Sequence, residues 1–338
     1  MSEQDKEQEV VTSGGMSRRE FLKAAGAAGA AVGLGVGLSG LLAPEASAWP
    51  GSAATTTTTP QATTTTTTAA PPPVTLTEYN QLGLDLESHL YMKTYPIGIK
   101  LLKSEAEIPE GAFRPKKDKN EHYGMCQVFA LARRQGRTIA MFIEDHWCFE
   151  AIISYGLVEV PQSYLDGNTN VGLFKNKEDG ALYAQNGRRL PFGEYPGMVV
   201  GPLKSVNFTP DLVMMYVDSH QLRHLSMMYR WPKGSHFLGI IDPIGSCVHS
   251  VVPPFLDGDC TLVVPDPGEY DRAGTQGDEM IVTIPAQKLQ EFMEGFYQFD
   301  TKGPKFRSWA LNMQPNFPQP SFYQAYFREW GLDAPPKP

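Results

Sequence analysis

Residues 122–156 read HYGMCQVFALARRQGRTIAMFIEDHWCFEAIISYG, and three elements follow one another in this stretch. Residues 122–136 predict a helix that Gly136 ends, with Arg133 and Arg134 in its last turn, where cations complement the helix dipole. Residues 137–143 predict a strand, and 147–156 a short helix closed by Gly156. Helix, strand and helix within 35 residues set the style of the whole domain.

The same style runs outward in both directions. Leu76, Tyr79, Leu82, Leu86 and Leu90 recur at spacings of three and four. They predict an amphipathic helix over 76–93 with Thr77 as its N-cap. PIGIKLL (96–102) predicts a strand. Further on, 211–217 predicts a buried strand, 219–231 a helix that Pro232 stops, and 236–242 a strand. A Cys-bearing segment at 245–252 is followed by strands at 261–265 and 280–285 and a helix at 286–299. Short strands alternating with helices predict an α/β or α+β domain, with room for two related lobes in one domain. No residue-by-residue repeat is visible.

The N-terminal quarter has a different character. Ser17-Arg18-Arg19-Glu20-Phe21-Leu22-Lys23 is similar to the twin-arginine export signal, and an Ala/Gly-rich apolar run follows. Ala46-Ser47-Ala48 supplies a small-x-small cleavage site, so residues 1–48 are expected to form the signal peptide. An uncleaved anchor helix is the alternative. Residues 49–75 hold TTTTTPQATTTTTTAAPPP, which has almost nothing to bury and is expected to act as a linker. The resemblance implies export in the folded state to the periplasm or the exterior, with membrane tethering open. It also raises the expectation of a cofactor inserted before export. The globular domain is expected over 76–300, with 301–338 an extension packing on it.

Charge narrows the partners. The chain has 29 basic and 37 acidic residues. The leader holds four and six of these, which leaves 25 and 31 and a net charge of −6. That balance argues against nucleic acid and anionic membranes. A small molecule or a redox partner is expected instead, with no membrane span beyond an uncleaved signal.

The four cysteines are Cys126, Cys148, Cys247 and Cys260. None forms a Cys-x-x-Cys pair. His122 lies four residues before Cys126, His146 two before Cys148, and His249 two after Cys247. Thiolate with imidazole suits a transition metal or an iron–sulfur cluster, which makes Cys126, Cys148, Cys247, His146 and His249 the candidate ligands. An imidazolium beside a thiol also lowers its pKa, so Cys148 activated by His146 is a candidate nucleophile. Buried cysteines as plain hydrophobes, or two disulfides in any of three connectivities, are equally open.

Weaker candidates surround these. His220 and His224 share a helical face. Glu144-Asp145-His146 follows a buried strand and is either a catalytic strand end or a polar turn. Gly245-Ser246-Cys247 lacks the second glycine of a hydrolase elbow. Arg188-Arg189 reads as a solvated loop. Trp147, Tyr155, Tyr229 and Trp231 are candidates to line a pocket.

Taken in order, PIGIKLL, MCQVFALARRQGRTIAMFIEDHWCFEAIISYGL, GMVVGPL, PDLVMMYVDSHQLRHL, GSCV and GDEMIVTIPAQKLQEF resemble the family called domain of unknown function 169. The resemblance covers about 79–300 and singles out Lys100, Cys126, Cys148 and Cys247, with Cys260 less clearly matched. The function expected is binding of a metal, iron–sulfur cluster or redox cofactor through the cysteines. The alternative is a non-catalytic ligand-binding module.

Overall fold

The computed structural model describes residues 73–168, 172–302 and 321–331. The leader, the Thr/Pro-rich stretch to residue 72 and most of the C-terminal extension lie outside the described residues.

One seven-stranded sheet organises the domain. Its strands are β1 (Ile97–Leu102), β2 (Ile139–Phe142), β3 (Gly197–Pro202), β4 (Leu212–Val217), β5 (Gly239–Ile240), β6 (Thr261–Val263) and β7 (Met280–Pro285). Their order is β2-β3-β1-β4-β7-β6-β5, and every neighbouring pair is antiparallel except β5–β6. The short strands and helices make a mixed α/β fold.

Both sheet faces are covered, which explains why β3 and β4 are continuous apolar runs rather than alternating ones. Helix α1 (Leu76–His89) packs on one face with α6 (Ser219–Lys233) and α10 (Leu289–Lys302), around Leu86, Leu225, Met228 and Phe292. The other face carries α2 (Met125–Gln135), α3 (Phe149–Ser154), α7 (Ser246–His249) and α8 (Val252–Asp257). Their contacts centre on Val128, Phe129, Ala151 and Val251. Helices α4 (Gln162–Leu165), α5 (Lys177–Asn186) and α9 (Pro267–Ala273) lie in the connections, and α11 (Ser321–Glu329) follows near the C-terminus.

The sheet holds a repeat that the sequence hides. Ile97 of β1 faces Pro202 of β3, and Leu212 of β4 faces Pro285 of β7. Two residues before each proline, Val200 faces Ile139 and Thr283 faces Thr261. After each proline the backbone enters a single 3₁₀ turn, and its first N–H donates to the residue before the partner strand. These bonds are Leu203 N to Pro96 O and Ala286 N to Asp211 O, both 2.8 Å. The halves meet where β1 and β4 pair Ile97 with Met214, Gly98 with Val213 and Ile99 with Leu212. This register maps onto itself when the halves are exchanged, so a local two-fold passes through the Gly98–Val213 pair. The two related lobes are present as interlocked halves of one sheet.

Several expectations are corrected locally. The cap of α1 is Thr75 rather than Thr77, because a capping box joins Thr75 and Glu78 in both directions. Pro232 does not stop α6, which runs to Lys233 and ends on Gly234 in the left-handed conformation. The strand expected at 236–242 shrinks to Gly239–Ile240, with Leu238 and Ile241 exposed. Arg133 does not answer the helix dipole. It is buried, bonding Glu279 at 2.9 Å and Thr275 at 2.9 Å, with its guanidinium 3.7 Å from the Tyr216 ring centre.

Candidate functional site

Helices α2 and α7 begin in the same way, at Gly124-Met125-Cys126 and Gly245-Ser246-Cys247, and occupy corresponding places before β2 and β6. The two-fold therefore brings Cys126 and Cys247 to the same sheet face. Cys148 arrives from the first half only, as the residue preceding α3. Two backbone bonds align its strand end with the start of α2: Tyr123 N to Asp145 O and Trp147 N to Tyr123 O, both 2.9 Å.

A cleft of about 870 Å3 opens between these elements, with Cys148 and Cys247 in its wall beside Gln127, Trp147, Asp266 and Arg272. Its size is that of a small-molecule site. Cys126 lies just behind, its sulfur 3.7 Å from where a Cβ on the lining Gly268 would stand. A second cavity of about 460 Å3 adjoins the cleft, since Glu150 and Gly245 line both.

The three thiols are held differently. Cys148 and Cys247 share a side-chain hydrogen bond, which lowers the Cys148 pKa to about 7 despite its burial. The same bond, with full burial, raises Cys247 well above the ordinary thiol value. The shared interaction thus favours the ionised form of Cys148 and the protonated form of Cys247. Burial, with Glu269 and Asp266 nearby, pushes Cys126 up to about 12. All four cysteines are free, so the two-disulfide expectation is not met, and Cys260 packs against the core of the opposite sheet face.

The candidate histidines do not join the sulfurs. Burial lowers the His146 pKa to about 4, so its ring is neutral near pH 7 and offers Cys148 no imidazolium charge. Its ring stands 6.4 Å from that of Tyr155, and its Nδ1 has no hydrogen-bond partner. His249 Nε2 lies 3.0 Å from Asp242 Oδ2, in the adjoining cavity. Among the described residues no group of three or more His, Cys, Asp or Glu side chains could hold a metal ion. His220 and His224 are adjacent on α6, their ring centres 4.9 Å apart, and complete no such group.

The remaining candidates resolve into structure. Glu144 and Asp145 both bind the buried Arg114, and Asp145 also accepts the backbone N–H groups of Phe142 and Lys116. That segment is an ion-paired turn. Arg188 pairs with Asp257, and Lys100 lies 3.6 Å from Glu107. Trp147 lines the cleft, fully three-quarters exposed and against His122. Tyr155 lies beneath the cysteines, whereas Tyr229 packs on the far face. Sequence reasoning missed Arg272, Asp266 and Gly268. Asp266-Pro267 was the available signal, an N-cap followed by proline at the first helical position.

This fold and its cysteine cleft define a mixed α/β protein with a buried thiol pair. The chain belongs to the family domain of unknown function 169, described as uncharacterised ArCR, whose profile matches residues 85–295. It also carries a twin-arginine translocation signal sequence at residues 15–35, which implies export across the membrane. An uncharacterised protein of Methanocaldococcus jannaschii is 23% identical over 207 residues, covering 60% of this chain and 87% of that protein. No solved structure matches. No helix among the described residues is long and apolar enough to cross a membrane.

Proposed function

We propose that the chain is an exported thiol–disulfide redox protein in which Cys148 attacks and Cys247 resolves. The observation that carries this reading is the placement of two free thiols, Cys148 and Cys247, together in the wall of the cleft. A thiolate at neutral pH beside a protonated partner is what exchange requires. The Cys148 thiolate attacks one sulfur of a disulfide, the S–S bond breaks, and the first leaving thiolate departs with the electron pair. Cys247 then loses its proton to solvent and attacks the Cys148 sulfur, expelling the second thiolate. The protein dithiol is oxidised by two electrons and the external disulfide is reduced.

Export of a folded chain suits this chemistry, since it carries reduced thiols from the cytoplasm into an oxidising compartment, periplasmic or extracellular. In this reading residues 49–75 space the domain from its leader, and 301–338 form an extension of the 76–300 domain. Intact mass of the mature chain after mild oxidation tests the exchange. Loss of two hydrogens, mapped to a Cys148–Cys247 bond, is expected. A reduced chain with both thiols unreacted overturns it.

A second reading keeps Cys126, Cys148 and Cys247 as ligands of an iron–sulfur cluster or soft metal. Three sulfurs at one cleft motivate it, and loading would require them to draw together, because as they stand they form no metal-holding group. Elemental analysis with a visible spectrum, on chain purified anaerobically after export, separates the two. Stoichiometric iron with a charge-transfer band supports the second and overturns the first.

A further inference from the structure

The cleft in front of Cys148 has a mixed lining. Trp147, Phe149, Leu173 and Ile244 give it an apolar lining, and the first three are at least half exposed. Arg272 lines the same cleft and is the one basic side chain among the described lining residues. Arg272 is exposed on α9, and no carboxylate lies within ion-pairing distance of it among the described residues. The lining Asp266 is already committed, accepting from Ser246 N at 3.0 Å and Glu269 N at 3.1 Å. The other lining carboxylate, Glu150, accepts from the Tyr164 hydroxyl at 3.0 Å. The face of Arg272 toward the thiol cleft leaves its five donors for a ligand.

From this arrangement we infer that Arg272 selects the substrate, and that the substrate is an anionic, low-molecular-weight disulfide with an apolar or aromatic body. Its carboxylate or other oxyanion pairs with Arg272 while the body lies along Trp147 and Phe149, which presents an S–S bond to Cys148. The inference rests on the thiol–disulfide reading and adds the substrate class to it. Arg272 touches the substrate and not the reacting sulfurs, so it governs choice of disulfide rather than the exchange itself.

The test follows Cys148 modification under pseudo-first-order conditions with three disulfides: dithiobis(nitrobenzoate), aromatic and anionic; dithiodipyridine, aromatic and neutral; and cystamine, cationic. A Cys148→Ser chain supplies the background from other thiols. Arg272→Gln is expected to slow the anionic reagent about tenfold, the scale of one partly solvated charge contact. It should leave dithiodipyridine unchanged, which also verifies the fold. Arg272→Glu should slow the anion further and make cystamine faster than with the unaltered chain, and added salt should compress all of these differences. Equal rate ratios across the three chains overturn the role of Arg272. Failure of Cys148 to react with any of the three overturns the thiol reading beneath it.

Discussion

The hydroxyl of Tyr155 donates a 2.8 Å hydrogen bond to the carbonyl of Cys247. Tyr155 closes the helix that Cys148 begins, so this bond ties the two cysteine-bearing segments across the halves of the chain. It is fully buried on both sides. Tyr155→Phe keeps the ring and leaves the carbonyl only the longer 3.3 Å bond from the Ser250 hydroxyl, at a cost of about 1 kcal/mol. Thermal unfolding should drop by about 2–4 °C in a domain of this size. The alkylation rate of Cys148 should fall at neutral pH as the thiol pair loosens. An unchanged rate would detach Tyr155 from the site.

The thiol hydrogen bond predicts a pH profile. Cys148 is lowered to about 7 first by Cys247 and then by the backbone N–H of Ala151, against burial. Its reaction with iodoacetamide should reach a plateau above neutral pH and fall about tenfold per unit below, following the thiolate fraction. In Cys247→Ala the main lowering contribution is gone and burial remains, so the midpoint should move upward. A midpoint unmoved by that substitution assigns the thiolate elsewhere.

Glu269 should shape stability. Burial raises its pKa to about 7, against hydrogen bonds from Thr275 and Tyr216 at 2.8 Å each. The folded chain therefore holds this proton more tightly than the unfolded chain. Its stabilisation is full below the unfolded value and is lost as pH rises through about 7. Denaturant midpoints should decline across that window, and Glu269→Gln should flatten the decline. The same slope in the variant would place the titration on another group.

Arg133 and Glu279 form an almost fully buried pair at 2.9 Å. Glu279→Ala strands the Arg133 guanidinium beneath the Tyr216 ring and should cost about 3–5 kcal/mol. Chemical denaturation would report this directly, and a loss under 1 kcal/mol would mean that Arg133 finds water.

Much of the fold was legible because hydrophobic period and terminal glycines act locally. Gly136 ends α2 in the left-handed conformation at φ 69°, as its place after Arg133 and Arg134 suggested. Strands β1, β4 and β7 stand where their apolar runs lie. The failures have physical causes. Pro232 sits in the last turn of α6, where few further backbone bonds remain to be broken, so the helix absorbs it. The strand at 236–242 had the residue types but only two residues find a partner. At the site, Cys148 and Cys247 line one cleft with Cys126 just behind, while the histidines that flank them in sequence turn elsewhere. His146 follows Asp145 into the core and His249 turns to Asp242, and neither fate is encoded by distance from a cysteine. Arg272 was invisible because only the fold carries α9 to the cleft.

The internal two-fold bears on how the chain could be divided. Gly98 and Val213 meet at the seam, and the strands on either side of it are apolar except for Lys100. Neither half can leave such a strand edge bare in water without inviting another chain to it. Yet each edge has the register of the other. Two separately expressed fragments, cut between β3 and β4, are therefore expected to find one another and rebuild the cysteine cleft by complementation. The half carrying Cys126 and Cys148 and the half carrying Cys247 would each be inert, and thiol exchange would return only when they are mixed.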